Sequence, residues 1–155
     1  MIITPDIFEV GLTIGQVEKP AVAARVQWYI NEHEPVYLRK LLGRKLARLF
    51  QDEYAKTEHE AKWDTLADDV RKMVARYVYY HYHRKNETIT TGTGEEMAQA
   101  QNAERTTIAY KVVDAWNEMV EMNLEFCQDI DRTVYPEYGG YVISDIYNFK
   151  NTFGI

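Results

Sequence analysis

Cysteine occurs once in these 155 residues, at Cys127, and serine once, at Ser144. A single cysteine excludes an intramolecular disulfide framework and a cysteine-based zinc cluster, and it fits a reducing compartment. The lone serine has no G-x-S-x-G elbow around it, so a hydrolase nucleophile is not indicated. No run of about 18 apolar residues occurs, which excludes an ordinary membrane-spanning helix. The opening MIITPDIFEV lacks the basic region and apolar stretch of a secretory leader. These absences predict an intracellular, soluble protein. The four histidines make no H-E-x-x-H arrangement, and TGTGEE lacks both the third glycine of a dinucleotide fingerprint and the Gly-Lys-Ser/Thr of a phosphate loop.

The chain does contain the makings of one globular domain. Apolar residues make up 46% and charged residues 27%, enough to bury a core and too apolar for a disordered tail. Twelve tyrosines are unusual in a chain of this size; an apolar ring with a polar tip suits partly wet interfaces. The net charge of -6 is unevenly spread. Residues 1–85 hold 14 Lys+Arg against 12 Asp+Glu, whereas residues 86–155 hold 4 against 12. That polarity argues against a nucleic-acid coat, which needs a broad basic field. It suits subunits that meet head to tail, basic surface against acidic surface.

Periodicity predicts a mainly α fold, a small bundle of about four helices in a single domain spanning 1–155. Residues 1–19 read as a docked extension with one helical turn after Thr4-Pro5. A first helix is expected over about 20–33, ended by Pro35. Beyond it, Leu38, Leu41, Leu42, Leu46, Leu49 and Phe50 form an apolar stripe, with Gly43 a point where that helix can split. A third helix is expected from about Asp64 to Arg84, with Leu66, Val70, Met73, Val74, Tyr77, Val78 and His81 on one side. A fourth, over about 104–129, carries Ile108, Val112, Val113, Trp116, Met119, Val120, Asn123, Leu124 and Cys127 inward. Between them, residues 86–103 form a Thr/Gly-rich arm, in which the alternation of ETITTGTGE suits an exposed β-ribbon or a mobile arm. Residues 131–155 read as an extended segment anchored by aromatic side chains.

The search for chemistry assigns no catalytic residue, no cofactor and no metal. Adjacent acids such as Asp68-Asp69 and Glu95-Glu96 do not supply two carboxylates on facing elements of a pocket. The histidines read as ordinary surface or partly buried residues, Cys127 as a core thiol, and Trp28, Trp63 and Trp116 as anchors of helix packing. The candidate surfaces are of another kind. Lys40, Arg44 and Arg48 repeat at spacing four opposite the leucine stripe, as a solvated face, a docking face for an acidic neighbour or a DNA-facing lining. Glu118, Glu121 and Glu125 lie on the outer face of the fourth helix. Thr88, Thr90, Thr91, Gly92, Thr93 and Gly94 form the arm, a strand-pairing surface for a partner.

The leucine-rich YLRKLLGRKLARLF, the tyrosine-rich RKMVARYVYYHYHRKN, the arm ETITTGTGEEMAQAQNAER and the return helix KVVDAWNEMVEMN span roughly residues 20–130. In order and proportion they resemble the small helical head-tail connector proteins of tailed bacteriophages. The resemblance implies a virion protein, one subunit of a homo-oligomeric ring of twelve beneath the portal protein. Such a ring continues the channel for the genome DNA and presents a surface to a neck or tail protein. It also implies an arm that reaches a neighbour or the portal, and termini that settle on assembly. The long aromatic C-terminal segment departs from a simple four-helix connector. The other expectation is a helical adaptor or regulatory protein of the cell that binds one protein partner through its tyrosine-rich surface.

Overall fold

Proline has no backbone N–H and a φ already near the helical value, so it suits a first helical turn. In the computed structural model Pro20 opens α1 (Pro20–Tyr54), with Lys19 before it still extended. The structure describes the backbone of residues 1–86, 88–91, 94–97, 102–140 and 144–151, and the side chains of 1–85, 109–140 and 144–151. The described residues are mainly helical, with three long helices: α1, α2 (Ala61–Asn86) and α3 (Asn102–Asp129). α2 packs against both α1 and α3, and a short 3-10 turn, Asp145–Tyr147, packs on α3 and α1. Between α2 and α3, β1 (Thr88–Thr91) and β2 (Gly94–Met97) pair antiparallel, Thr88 opposite Met97 and Thr91 opposite Gly94. Gly92 and Thr93 lie outside the described residues, as do the side chains of Thr88, Thr90 and Thr91.

The expected first and second helices are one element, so three long helices stand where about four were expected. Pro35 does not end the first helix. A proline inside a helix costs about 3 kcal/mol, through the hydrogen bond lost to the carbonyl four residues back and the clash of its ring with that carbonyl. Here that carbonyl belongs to Asn31, an exposed residue. On either side of Pro35, Ile30, Glu34, Tyr37, Leu38, Leu41 and Leu42 are buried. Burying several large apolar side chains, at about 2 kcal/mol each, outweighs one proline. The break falls instead at Gly43, whose φ of 76° and ψ of 164° are open to almost no residue but glycine. Past it, a limb of α1 from Arg44 to Tyr54 keeps Leu46, Ala47 and Phe50 buried. α2 starts before the expected Asp64 because Trp63, 3% exposed, packs against Phe50 and Tyr135.

Both terminal segments are stapled to this body by buried polar groups. Glu34, 4% exposed, accepts the backbone N–H of Ile2 at 3.1 Å on each carboxylate oxygen and that of Ile3 at 3.3 Å. Arg71 of α2 donates through Nε to the carbonyl of Ile2 at 3.3 Å. Ile2, Ile3, Phe8, Ile14 and Val17 then join the core. At the other end Asn123, fully buried on α3, accepts the Tyr37 hydroxyl from α1 and donates through Nδ2 to the carbonyl of Ile146 at 2.7 Å. Further along, Trp116 Nε1 donates to the carbonyl of Asn148 at 2.8 Å, and Asn117 exchanges two bonds with the backbone of Lys150. The segment therefore runs back along α3 toward its start. The described residues of both terminal segments pack on the chain's own helices.

Replacing Asn123 with alanine strands a buried tyrosine hydroxyl and a buried carbonyl, each costing about 1–3 kcal/mol. Asn123→Ala should lower the unfolding free energy in urea by several kcal/mol and expose residues 144–151 to limited proteolysis at temperatures where the helices persist. A loss under about 0.5 kcal/mol, the size of an ordinary surface change, would show that this amide does not hold the segment.

Candidate functional site

The bend at Gly43 gathers the basic side chains of α1 around an open hollow of about 930 Å³ lined by Arg39, Lys40, Arg44, Lys45 and Arg48, together with Ser144. The row predicted at spacing four is not one row, because Gly43 interrupts the helix between Lys40 and Arg44. Lys40 also differs from the expectation of a free cation. It is half-buried and bonds Asp145 at 2.7 Å and the Tyr77 hydroxyl at 3.2 Å. Burial opposes its charge, but the bonds to Asp145 and Tyr77 win and hold its pKa above the ordinary value. Lys40 thus fastens the Asp145–Tyr147 turn to α1 and α2. Arg44 and Arg48 are exposed, and Arg48 has only a long contact, 3.8 Å, to Asp52 one turn on. Arg39 and Lys45, beside them, are exposed and carry no ion pair among the described residues.

The acidic row on α3 divides in the same way. Glu118 forms a two-point pair with Arg76 of α2, at 2.8 Å to Nη2 and 2.9 Å to Nε. It is a clasp between α2 and α3 and not a free acid. Glu121 and Glu125 are exposed, with no ion pair among the described residues. Glu125 stands on the rim of a cleft of about 540 Å³ between the start of α2 and the end of α3. The cleft is lined by the apolar Met73, Met122, Phe126, Ile130 and Val134, and its polar lining holds Asp69, Glu125, Asp129 and Asp131 against Lys62 and Lys72. Burial and then the charge of Asp68 push the Asp69 carboxyl above its usual range. The acidic row expected on α3 contributes Glu125 to this rim; Asp69 and Asp131 join it only through folding.

The histidines and tryptophans fall elsewhere. The His33 ring stacks on His81 with centroids 4.4 Å apart and planes within 8°. The Nε2 atoms of His33, His81 and His83 are buried without a hydrogen-bond partner. Burial pulls His81 and His83 down to about 4, with the nearby His33 and Lys40 adding to the effect on His81. Trp63 and Trp116 anchor packing, but Trp28 is 50% exposed, edge-on to Tyr29 with the Lys85 ammonium 6.0 Å from its ring centroid. Cys127 is partly buried, its sulfur 3.2 Å from the hydroxyls of Tyr138 and Tyr147. Among the described residues no three His, Cys, Asp or Glu side chains gather as a metal would require, and no helix is long and apolar enough to cross a membrane.

The histidine environment sets a pH dependence. His81 and His83 have folded pKa values of about 4, below the 6.5 of a free imidazole. Between these limits the unfolded chain holds more protons, so their stabilising share is complete above about 6.5 and is lost as pH falls toward 4. Thermal melts should drop steadily from pH 7 to pH 4.5, and the double change His81→Gln, His83→Gln should flatten that slope. An unchanged slope in the double variant would mean that other groups set it. No family model, curated protein or solved structure matches the chain.

Proposed function

We propose that this chain is a structural subunit that builds a closed ring with copies of itself, as a head-tail connector does beneath the portal of a tailed bacteriophage. The observation that carries the reading is the pair of oppositely charged hollows, one on α1 and one between α2 and α3, that share no residue. A ring of identical subunits needs two different, mutually complementary patches on each copy, placed so that repetition closes. Both hollows lie on helices tied together by the Lys40–Asp145 and Arg76–Glu118 pairs, so little ordering cost is left for assembly.

The ribbon supports the same reading. β1 and β2 form a sheet of two strands, and no third strand flanks it among the described residues. An open strand edge accepts a strand from another chain through backbone bonds. In the proposed ring, residues 86–103 contact a neighbouring subunit or the portal, and the opposite surface meets a neck or tail protein. Genome DNA passes through the ring without sequence-specific binding.

Mass photometry and negative-stain microscopy of the purified chain test this. Rings near twelve subunits are expected at low salt, dissociating as salt screens the charged contacts. A chain that stays monomeric at every salt and protein concentration, and saturates with one copy of a single cellular protein, would favour an adaptor or regulatory role instead.

A further inference from the structure

Resting on the ring reading, we infer that the lateral contact is made by the limb of α1 beyond Gly43 in one copy, seated in the α2/α3 cleft of the next. Arg44, Lys45 and Arg48 of the limb then face Asp69, Glu125, Asp129 and Asp131 of the cleft. Three observations favour a second copy of this chain as the occupant.

The first is charge. The limb presents three exposed cations whose only ion pair among the described residues is the long one from Arg48 to Asp52. The cleft carries four carboxylates against two lysines, so each surface lacks what the other supplies. The second is apolar cover. Met122, Phe126 and Ile130 are only partly buried, and Val134 is 41% exposed. The methylene stems of arginine and lysine lie well on such a surface while their heads reach the rim. The third is length. The cleft follows α2 from Lys62 to Met73, about 16 Å at 1.5 Å per residue, and Arg44 to Tyr54 spans about 15 Å. The cleft is a poor seat for nucleic acid, because its acids repel phosphate.

Reciprocal charge reversal tests the contact. The variant Arg44→Glu, Arg48→Glu has an acidic limb beside an acidic cleft. The variant Glu125→Lys, Asp129→Lys has a basic cleft beside a basic limb. All four side chains are exposed, so both variants should fold, which circular dichroism checks. Each alone should stay monomeric at a salt concentration where the unsubstituted chain forms rings. An equimolar mixture should form rings again, with the two variants alternating, because each limb now meets a cleft of opposite charge. Rings formed by either variant alone as readily as by the unsubstituted chain would overturn the contact and leave the ring reading standing. An unsubstituted chain that never assembles would overturn both. If the arginine variant still forms rings but loses retention of double-stranded DNA, the limb faces the channel and the proposed contact is wrong.

Discussion

One buried amide holds the architecture together. Asn123 sits on the apolar face of α3 where its side chain is wholly removed from water, a position that costs several kcal/mol unless its polar atoms are satisfied. It accepts a hydrogen bond from the Tyr37 hydroxyl on α1 and donates one to the carbonyl of Ile146, so three separate stretches of chain must meet at one point. An apolar side chain there would pack against many arrangements; an amide accepts few. Glu34 does similar work at the other end, receiving the N–H groups of Ile2 and Ile3. Each buried polar residue converts a terminal segment into a fixed part of the body.

Because the body is fixed, its charges are sorted. Some become internal fasteners. Lys40 ties the last turn to α1, and Arg76 with Glu118 clasps α2 to α3. The rest face outward in two groups, basic on the limb past Gly43 and acidic around the α2/α3 cleft. The proposed ring uses only the second set. Its contacts are therefore exposed and partly screened, weak singly and effective in repetition, as suits a structure assembled from many copies.

Much of the helical fold was legible, because burial leaves a period in sequence. The stripes of Leu38 to Phe50, Leu66 to His81 and Val112 to Asn123 identified the helices, and even the β-prone YVYYHYH lies within α2. Local signals failed where distant burial competed with them. Pro35 looked like an end and was overridden by the apolar residues on either side of it, whereas the split expected at Gly43 is present. The surfaces were only half legible for a related reason. Whether Lys40 or Glu118 is free depends on Asp145, 105 positions away, and on Arg76, 42 away, and no helical spacing records such partners. The same holds for His33, which meets His81 only in the fold. Glu34 could have been found: an acid in line with Ile30, Leu38 and Leu41 on an otherwise apolar stripe signals a buried carboxylate awaiting donors.

The central claim is that identical copies join limb to cleft. Zero-length carbodiimide cross-linking of assembled chain, made from equal parts of isotopically light and heavy protein, reads this contact directly by mass spectrometry. The account predicts amide bonds from Lys45 to Glu125 or Asp129 in mixed light-heavy peptide pairs, showing that they join different copies. Mixed pairs that join Lys45 only to acids outside the cleft, or the absence of any mixed pair in assembled rings, would contradict it.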